Sequence, residues 1–146
     1  MLGREELCGL IPHAGRMCLL DEVLSWDPES VVCQSRSHQR PDNPLRDGDQ
    51  LAAIHAIEYG AQAMAVHGGL LARQKSEPIN PGYLVSVRNV KLQVARLDRI
   101  ASPLTVSARQ LMADGGNLLY RFEITADEAP IASGKAAVIA HREQTT

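Results

Sequence analysis

Glu58 is the residue of this chain whose surroundings most suggest chemistry. It is the single carboxylate of Leu51–Arg73, a stretch that is otherwise rich in Ala, Ile, Met, Val and Gly. Ionised carboxylates are rarely buried without a partner. One interpretation is a carboxylate held in an apolar cleft, ready for acid or base work. The other is a carboxylate at an exposed or interface edge, or one that hydrogen bonds hold in place.

Two side chains share one flank with Glu58 if this stretch is helical. Gln62 follows by four residues and His55 precedes by three, and both spacings bring side chains together on a helix. His38 adjoins a polar loop, which is typical of a solvated histidine, and His13 follows a proline, which is typical of a hydrogen-bonded one. His67 and His141 have the positions of ordinary helix-end and strand-end residues. No pair of histidines has metal-ligand spacing with a third ligand, which predicts no metal site.

The element that must position Glu58 is a long helix over Leu51–Arg73. Ala is the best helix former, and Leu, Met, Gln, Glu and Arg follow it. Asp47-Gly48-Asp49 precedes the stretch and offers oxygens for an N-cap. The pattern is apolar nearly all round, which is typical of a buried helix. Its polar interruptions argue against a membrane span, and its small residues would let a curved sheet wrap closely around it.

Alternating and β-rich segments flank this helix. A single strand, Ser30–His38, precedes it, and the loop Gln39–Asp49 joins the two. After the loop Lys75–Pro81, a parity switch in Gly82–Leu97 predicts a β-bulge near Arg88-Asn89. The remaining segments read as a meander around a hairpin turn at Ala113–Asn117, with strands at Leu104–Met112, Leu118–Ala126 and Ile131–His141. The prediction is an α+β fold in which an antiparallel sheet wraps one central helix, and a helix left partly uncovered predicts a dimer.

Length, charge and cysteine use narrow the class of protein. The chain has 146 residues, which predicts a single domain over residues 1–146. Its net charge of −2 gives no indication of nucleic-acid binding, and 3% aromatic residues argue against a stacking site for a flat cofactor. Three cysteines without a CxxC pair (Cys8, Cys18 and Cys33) predict free thiols in a reducing compartment. The N-terminal residues do not have the pattern of a signal peptide, so we expect a cytoplasmic protein.

Two stretches resemble the hotdog-fold 3-hydroxyacyl-(acyl-carrier-protein) dehydratases. Ile11-Pro12-His13 with the apolar segment Met17–Val23 is similar to the family's opening, and Ile57–Gln62 is similar to its Glu-Ala-x-Ala-Gln helix motif. Asn43–Arg46 and Pro81–Val85 resemble a subgroup found with aryl-polyene or fatty-acid synthesis genes. The resemblance extends over nearly the whole chain and implies a single hotdog domain.

The resemblance implies a reaction and the groups that carry it. The family removes water from 3-hydroxyacyl thioesters: a histidine takes the proton beside the carbonyl, and a helix carboxylate handles the leaving hydroxyl. Glu58 matches the carboxylate, but Pro44 occupies the position of the histidine. His38, His55 and His13 are therefore the candidate bases. The residues expected to line the acyl tunnel are Tyr59, Gln62, Met64 and Tyr83.

The departure at Pro44 leaves several functions open. The chain could be a dehydratase acting on carrier-protein-bound substrates, as a homodimer or as the half of a heterodimer that gives its carboxylate to a partner's histidine. It could also be a hotdog thioesterase, because one fold hosts both reactions, or a partner subunit without catalysis. An acidic acyl carrier protein would need a basic landing site, for which the candidates are Arg73, Lys75, Arg88, Lys91, Arg96 and Arg99.

Overall fold

A curved antiparallel sheet packs around one long helix in the computed structural model, which describes residues 2–11, 17–78 and 82–140. The helices are α1 (Arg4–Cys8) and α2 (Ala56–Gln74), with short 3₁₀ turns at Ser37–Gln39 and Ala53–His55. The strands are β1 (Glu22–Trp26), β2 (Ser30–Ser35), β3 (Gly82–Leu92), β4 (Leu104–Asp114), β5 (Asn117–Ala126) and β6 (Ala129–Ala140). The α+β hotdog prediction is confirmed.

The strand order explains where the sequence prediction of a simple meander was incomplete. The strands lie in the order β1-β2-β4-β5-β6-β3, so the meander β4-β5-β6 is confirmed. β3, however, pairs with β6 at the far edge of the sheet, although β4 follows it in the chain. Two strands precede the long helix instead of one. The short strand β1 was missed because its segment has no clear alternation before the turn that joins it to β2.

Local turn chemistry was predicted well. The register of β3 against β6 shifts between Arg88 and Lys91, and Asn89 has a φ of 55°, which confirms the predicted bulge. Gly115 and Gly116 both have positive φ in the hairpin between β4 and β5, as a tight hairpin turn requires. These features depend on neighbouring residues alone, which is why the sequence indicates them.

Helix α2 begins five residues later than predicted, at Ala56. Asp98 Oδ1 accepts a hydrogen bond from the Leu51 N–H at 2.8 Å, and Ala95 O accepts one from the Ala53 N–H at 3.0 Å. These contacts hold the segment before Ala56 against the residues that follow β3. The predicted N-cap at Asp47-Gly48-Asp49 is therefore wrong, because this cluster lies outside the helix start.

The sheet covers one side of α2 closely. The buried face, which includes Tyr59, Ala63 and Val66, packs against β2, β4 and β5. Gly60 lies so close to the sheet that a Cβ there would stand 2.7 Å from the ring of Phe122. A side chain at this position would push helix and sheet apart, so glycine sets their spacing.

The opposite side of α2 is less covered than the all-round apolar pattern predicted. Half-buried residues recur on it at helical spacing (Glu58, Ala61, Ala65, Gly68 and Ala72). With one chain alone, this stripe is partly open to solvent. No helix in the described part of the chain is long and apolar enough to cross a membrane.

The cysteines differ from the prediction of free thiols. Cys8 and Cys18 form a disulfide, and their Cα atoms are 5.8 Å apart. Cys33 is free and buried in β2, and burial raises the pKa of its thiol to about 12. The spacing in the sequence could not reveal the pair, because α1 and the segment that enters β1 meet only in the folded chain.

Candidate active site

Glu58 lies in the first turn of α2, on the stripe that the sheet leaves uncovered. It is half-buried, and one of its oxygens, Oε1, accepts a hydrogen bond of 3.2 Å from Gln62 Nε2. Within residues 2–11, 17–78 and 82–140, Gln62 is the one residue to which the carboxylate bonds. A carboxylate so placed is oriented by Gln62, and its second oxygen bonds to no residue in the described part of the chain.

Gln62 is a buried clamp between α2 and the segment that enters β1. Its Oε1 accepts the N–H of Leu19 at 2.8 Å, while its Nε2 donates to Met17 O at 2.6 Å as well as to Glu58. The backbone N–H of Leu19 can only donate, which fixes the orientation of the amide. Gln62 is 3% exposed, so its amide has little contact with solvent. The predicted grouping of Gln62 with Glu58 is therefore present.

His38 is enclosed by the protein. Its Nε2 lies 3.1 Å from Ile100 O and donates to it, and the residue has no exposed surface. Its Nδ1 is buried and has no hydrogen-bond partner among the described residues. Desolvation lowers the pKa of the ring, and the nearby Arg46 acts in the same direction. The ring is thus a neutral group that its hydrogen bond to Ile100 O holds in place.

The other candidate histidines occupy different settings. His55 closes the 3₁₀ turn before α2 and is half-buried. His67 is fully buried in the interior of α2, where Nδ1 accepts from the Tyr120 hydroxyl at 2.7 Å and Nε2 donates to Asp27 O at 3.0 Å. The interpretation of His67 as an ordinary helix-end residue was wrong, and burial lowers its pKa. His13 and His141 lie outside the described residues.

A second hydrogen-bond network ties the loop around Pro44 to the same helical turn. The hydroxyl of Tyr59 hydrogen-bonds Ser37 Oγ at 2.7 Å and accepts from Asn43 Nδ2 at 3.2 Å. Asn43 also donates to Ser37 O at 2.9 Å. Tyr59 is fully buried, and this desolvation raises the pKa of its phenol. Asn43 was named from the sequence within the motif Asn43–Arg46, but no role beside Tyr59 was predicted for it.

The remaining predicted tunnel residues do not share one environment. Met64 is 5% exposed on the core side of α2, whereas Tyr83 is 62% exposed on the edge strand β3. Tyr59 and Gln62 are buried, as described above. The four predicted substrate contacts therefore divide into three that the monomer encloses and one at its edge.

The basic residues divide by their partners. Arg73 forms an exposed salt bridge with Glu6 at 3.2 Å, and Arg96 forms a bidentate pair with Asp98 through bonds of 3.1 and 2.6 Å. This pairing and a bond from the Leu51 N–H hold the pKa of Asp98 well below its usual range. Four other predicted landing-site residues are exposed: Lys75, Arg88, Lys91 and Arg99.

Two further features bear on ligands. Among the described residues, no three side chains of His, Cys, Asp or Glu lie together in a way that could hold a metal ion. An open groove of about 420 Å³ is lined by residues of β4 and by Glu29, and none of the candidate site residues lines it; its residues are Glu29, Arg109, Gln110, Leu111, Met112 and Ala113.

Solved structures with the same fold include dehydratases and thioesterases. The chain is 24% identical to a chain of the dehydratase heterocomplex ApeI:P from Xenorhabdus doucetiae (TM-score 0.84; 98% of this chain and 93% of that chain covered). It is 19% identical to zebrafish thioesterase superfamily member 2 (TM-score 0.66; 94% and 95% covered). It is 12% identical to a hypothetical thioesterase with coenzyme A from Streptococcus pneumoniae TIGR4 (TM-score 0.60; 82% and 84% covered). These likenesses establish the fold.

The family is established by the sequence itself. The comparison with curated proteins found no match. The profile of the ApeP dehydratases, in contrast, matches residues 5–146, which include α2 with Glu58 and Gln62. Because this match extends over nearly the whole chain, the protein belongs to the ApeP-like dehydratase family.

Proposed function

We propose that this chain supplies the carboxylate half of a dehydratase site that acts on 3-hydroxyacyl thioesters. The observation that carries the proposal is the setting of Glu58, which is oriented by Gln62 on the uncovered stripe of α2. The two fully buried histidines, His38 and His67, are bonded within the fold. Membership of a dehydratase family supports a reaction that needs such a carboxylate.

In this proposal, Glu58 acts on the leaving hydroxyl, the role that the family resemblance gives to the helix carboxylate. A base takes the proton from C2 of the acyl chain, the C3–O bond breaks, and the protonated Glu58 gives its proton to the departing hydroxyl, which leaves as water. A double bond forms between C2 and C3, and the thioester is retained. General acid and base groups placed on both sides of the substrate are each worth about 10²–10⁴ in rate. Glu58 fills one place, and a histidine must fill the other.

A second hotdog subunit is the proposed source of that histidine. Pro44 stands where the family resemblance places the base, and the ring of His38 has no exposed surface. The edge strand β3 offers a place to pair, because its residues Tyr83, Leu84 and Val85 are 62%, 46% and 58% exposed. The related dehydratase from Xenorhabdus doucetiae is itself a heterocomplex. His55 and His13 are the alternative bases if the chain acts as a homodimer.

The proposed substrate is an acyl chain carried by an acyl carrier protein, in cytoplasmic aryl-polyene or fatty-acid synthesis. The exposed Lys75 lies just after α2 and is a candidate contact for an acidic carrier. Lys75→Glu should weaken carrier binding, and the loss should shrink at high salt because surface charges are screened. Arg73→Glu is the matched comparison. Because Arg73 forms a salt bridge with Glu6, reversing the charge of Arg73 also breaks this exposed pair. Equal affinity of wild type and Lys75→Glu over a salt series would remove Lys75 from the carrier site.

The deciding experiment measures dehydration of a 3-hydroxyacyl thioester by three preparations: the chain alone, the chain with a hotdog partner subunit, and the same complex with Glu58→Gln. We expect turnover only in the wild-type complex and not in the isolated chain. In the complex with Glu58→Gln, the turnover number should fall by at least about a hundredfold. Glu128→Gln, in the exposed turn between β5 and β6, is the control. Full activity of the isolated chain would reject the half-site. Release of free acid without enoyl product would indicate a thioesterase, the second function that this fold hosts.

A further inference from the structure

The disulfide partner Cys18 lies between the two backbone groups that Gln62 holds. Met17 O accepts from Gln62 Nε2 at 2.6 Å and the Leu19 N–H donates to Gln62 Oε1 at 2.8 Å. The same Nε2 donates to Glu58 at 3.2 Å. One buried amide therefore joins the residues on both sides of a disulfide sulfur to the candidate carboxylate.

We propose that the Cys8–Cys18 disulfide is a redox latch on the Glu58 carboxylate. In the oxidised chain, the bond fixes Cys18 to α1 and so holds residues 17–19 against Gln62. Reduction loosens this segment, and Gln62 then no longer orients Glu58 as firmly. The consequence for turnover rests on the proposed function, whereas the effect on residues 17–19 does not.

The remaining contacts of the segment indicate that it loosens without unfolding. Arg4 Nη2 donates to Cys18 O at 2.8 Å, but Arg4 belongs to α1, so this contact depends on the same helix as the disulfide. Ser35 Oγ donates to Leu19 O at 2.5 Å, and Ser35 is a fully buried residue of β2. Among the described residues, the bond from Ser35 is therefore an anchor that is independent of both α1 and Gln62. The segment would keep its place on the sheet and lose the restraint from α1.

Exposure decides which sulfur a reductant reaches. Cys8 is half-buried, whereas Cys18 is 1% exposed. The thiolate of a dithiol attacks the Cys8 sulfur, the S–S bond breaks, and Cys18 leaves as a thiolate that takes up a proton. The second thiol of the reductant then displaces Cys8 from the mixed disulfide. Two electrons pass from the dithiol to the protein, which gains two thiols, and the reductant becomes a disulfide.

The test follows the wild-type chain with and without dithiothreitol, so it needs no substitution that could impair folding. Alkylation and mass mapping should find Cys8 and Cys18 blocked before reduction and labelled after it. Amide hydrogen exchange of Leu19 should become roughly two- to tenfold faster on reduction, the factor that corresponds to loss of one typical hydrogen bond. Cys8→Ser should exchange like the reduced chain whether or not dithiothreitol is present, whereas Cys33→Ala should respond to it like wild type.

Turnover by the complex separates this inference from the proposed function. We expect the reduced complex to lose roughly two- to tenfold in turnover number. Faster Leu19 exchange with unchanged turnover would overturn the latch on Glu58, as would labelling of Cys8 and Cys18 without reductant. Unchanged Leu19 exchange would overturn it too. If neither redox state shows any turnover, the proposed function fails, while the exchange experiment still decides whether reduction releases residues 17–19.

Discussion

Replacing Gln62 with methionine tests the clamp that organises the candidate site. Methionine has nearly the same length and keeps the apolar contacts of the side chain, but it offers no amide. The Leu19 N–H then loses its acceptor, and Leu19 is 1% exposed, so water cannot replace it. A buried donor left without a partner costs about 1–3 kcal/mol. Met17 is 37% exposed, so water can replace the amide at its carbonyl, and the loss of stability there is smaller.

These contributions sum to a loss of about 3 kcal/mol in the free energy of unfolding. That is a large share of the 5–15 kcal/mol typical of a whole domain. At about 2–4 °C per kcal/mol for a chain of this size, Tm should fall by roughly 6–12 °C. Urea denaturation followed by circular dichroism measures the free energy, and a thermal scan measures Tm.

Gln74→Met is the matched control, because Gln74 ends the same helix and is exposed. We expect it to lie within about 0.5 kcal/mol of wild type, as surface substitutions usually do. A loss of less than about 0.5 kcal/mol in Gln62→Met itself would refute the reasoning. It would mean that the segment carrying Met17 and Leu19 packs against α2 without help from the amide.

Two other predictions concern stability. Gly60→Ala should lower the free energy of unfolding by about 1–3 kcal/mol, because the added Cβ is overpacked against Phe122. In the same helix, the Cβ of Gly68→Ala meets open space, so this substitution should raise the free energy of unfolding by about 0.5–1 kcal/mol. Equal effects of the two substitutions in chemical denaturation would contradict the packing argument. Burial lowers the pKa values of His38 and His67, so the unfolded chain takes up protons first as the pH falls below about 6.5. The free energy of unfolding should therefore fall from pH 7 to pH 5 by up to about 1.4 kcal/mol per pH unit for each ring. His67→Gln should remove about half of this dependence on pH. A free energy of unfolding that does not change with pH in wild type would be inconsistent with neutral buried rings.

The parts of the fold that depend on neighbouring residues could be predicted from the sequence. The bulge near Arg88-Asn89 and the hairpin at Ala113–Asn117 follow from parity and turn chemistry within a few positions. The long helix follows from its composition, although its start does not. That start is set by Asp98 and Ala95, which bond to Leu51 and Ala53 and follow β3 in the sequence. Long-range contacts of this kind leave no signal in a local pattern.

The candidate site divides in the same way. The spacing of Glu58 and Gln62 predicts their contact, because residues four apart meet on any helix. The enclosure of His38 was not predictable, because it depends on Ile100, which is separated from His38 in the sequence by the loop and by α2. The disulfide was not predictable for the same reason, since Cys8 and Cys18 meet only in the folded chain. Residue type and spacing identify groups that could react, but only the packing of distant segments determines which of them a substrate can reach.

The two hydrogen-bond networks give a physical reason why a chain could lose one half of a composite site and keep the other. Glu58 is held by Gln62 and the segment before β1, whereas the loop around Pro44 is held by Asn43 on Tyr59. Glu58 and Tyr59 are consecutive, yet one lies half-buried on the uncovered stripe and the other is fully buried. None of the contacts that orient the carboxylate involves a side chain at position 44. A change at that position therefore leaves Glu58 in place, and a partner that supplies the missing base would find the carboxylate already oriented.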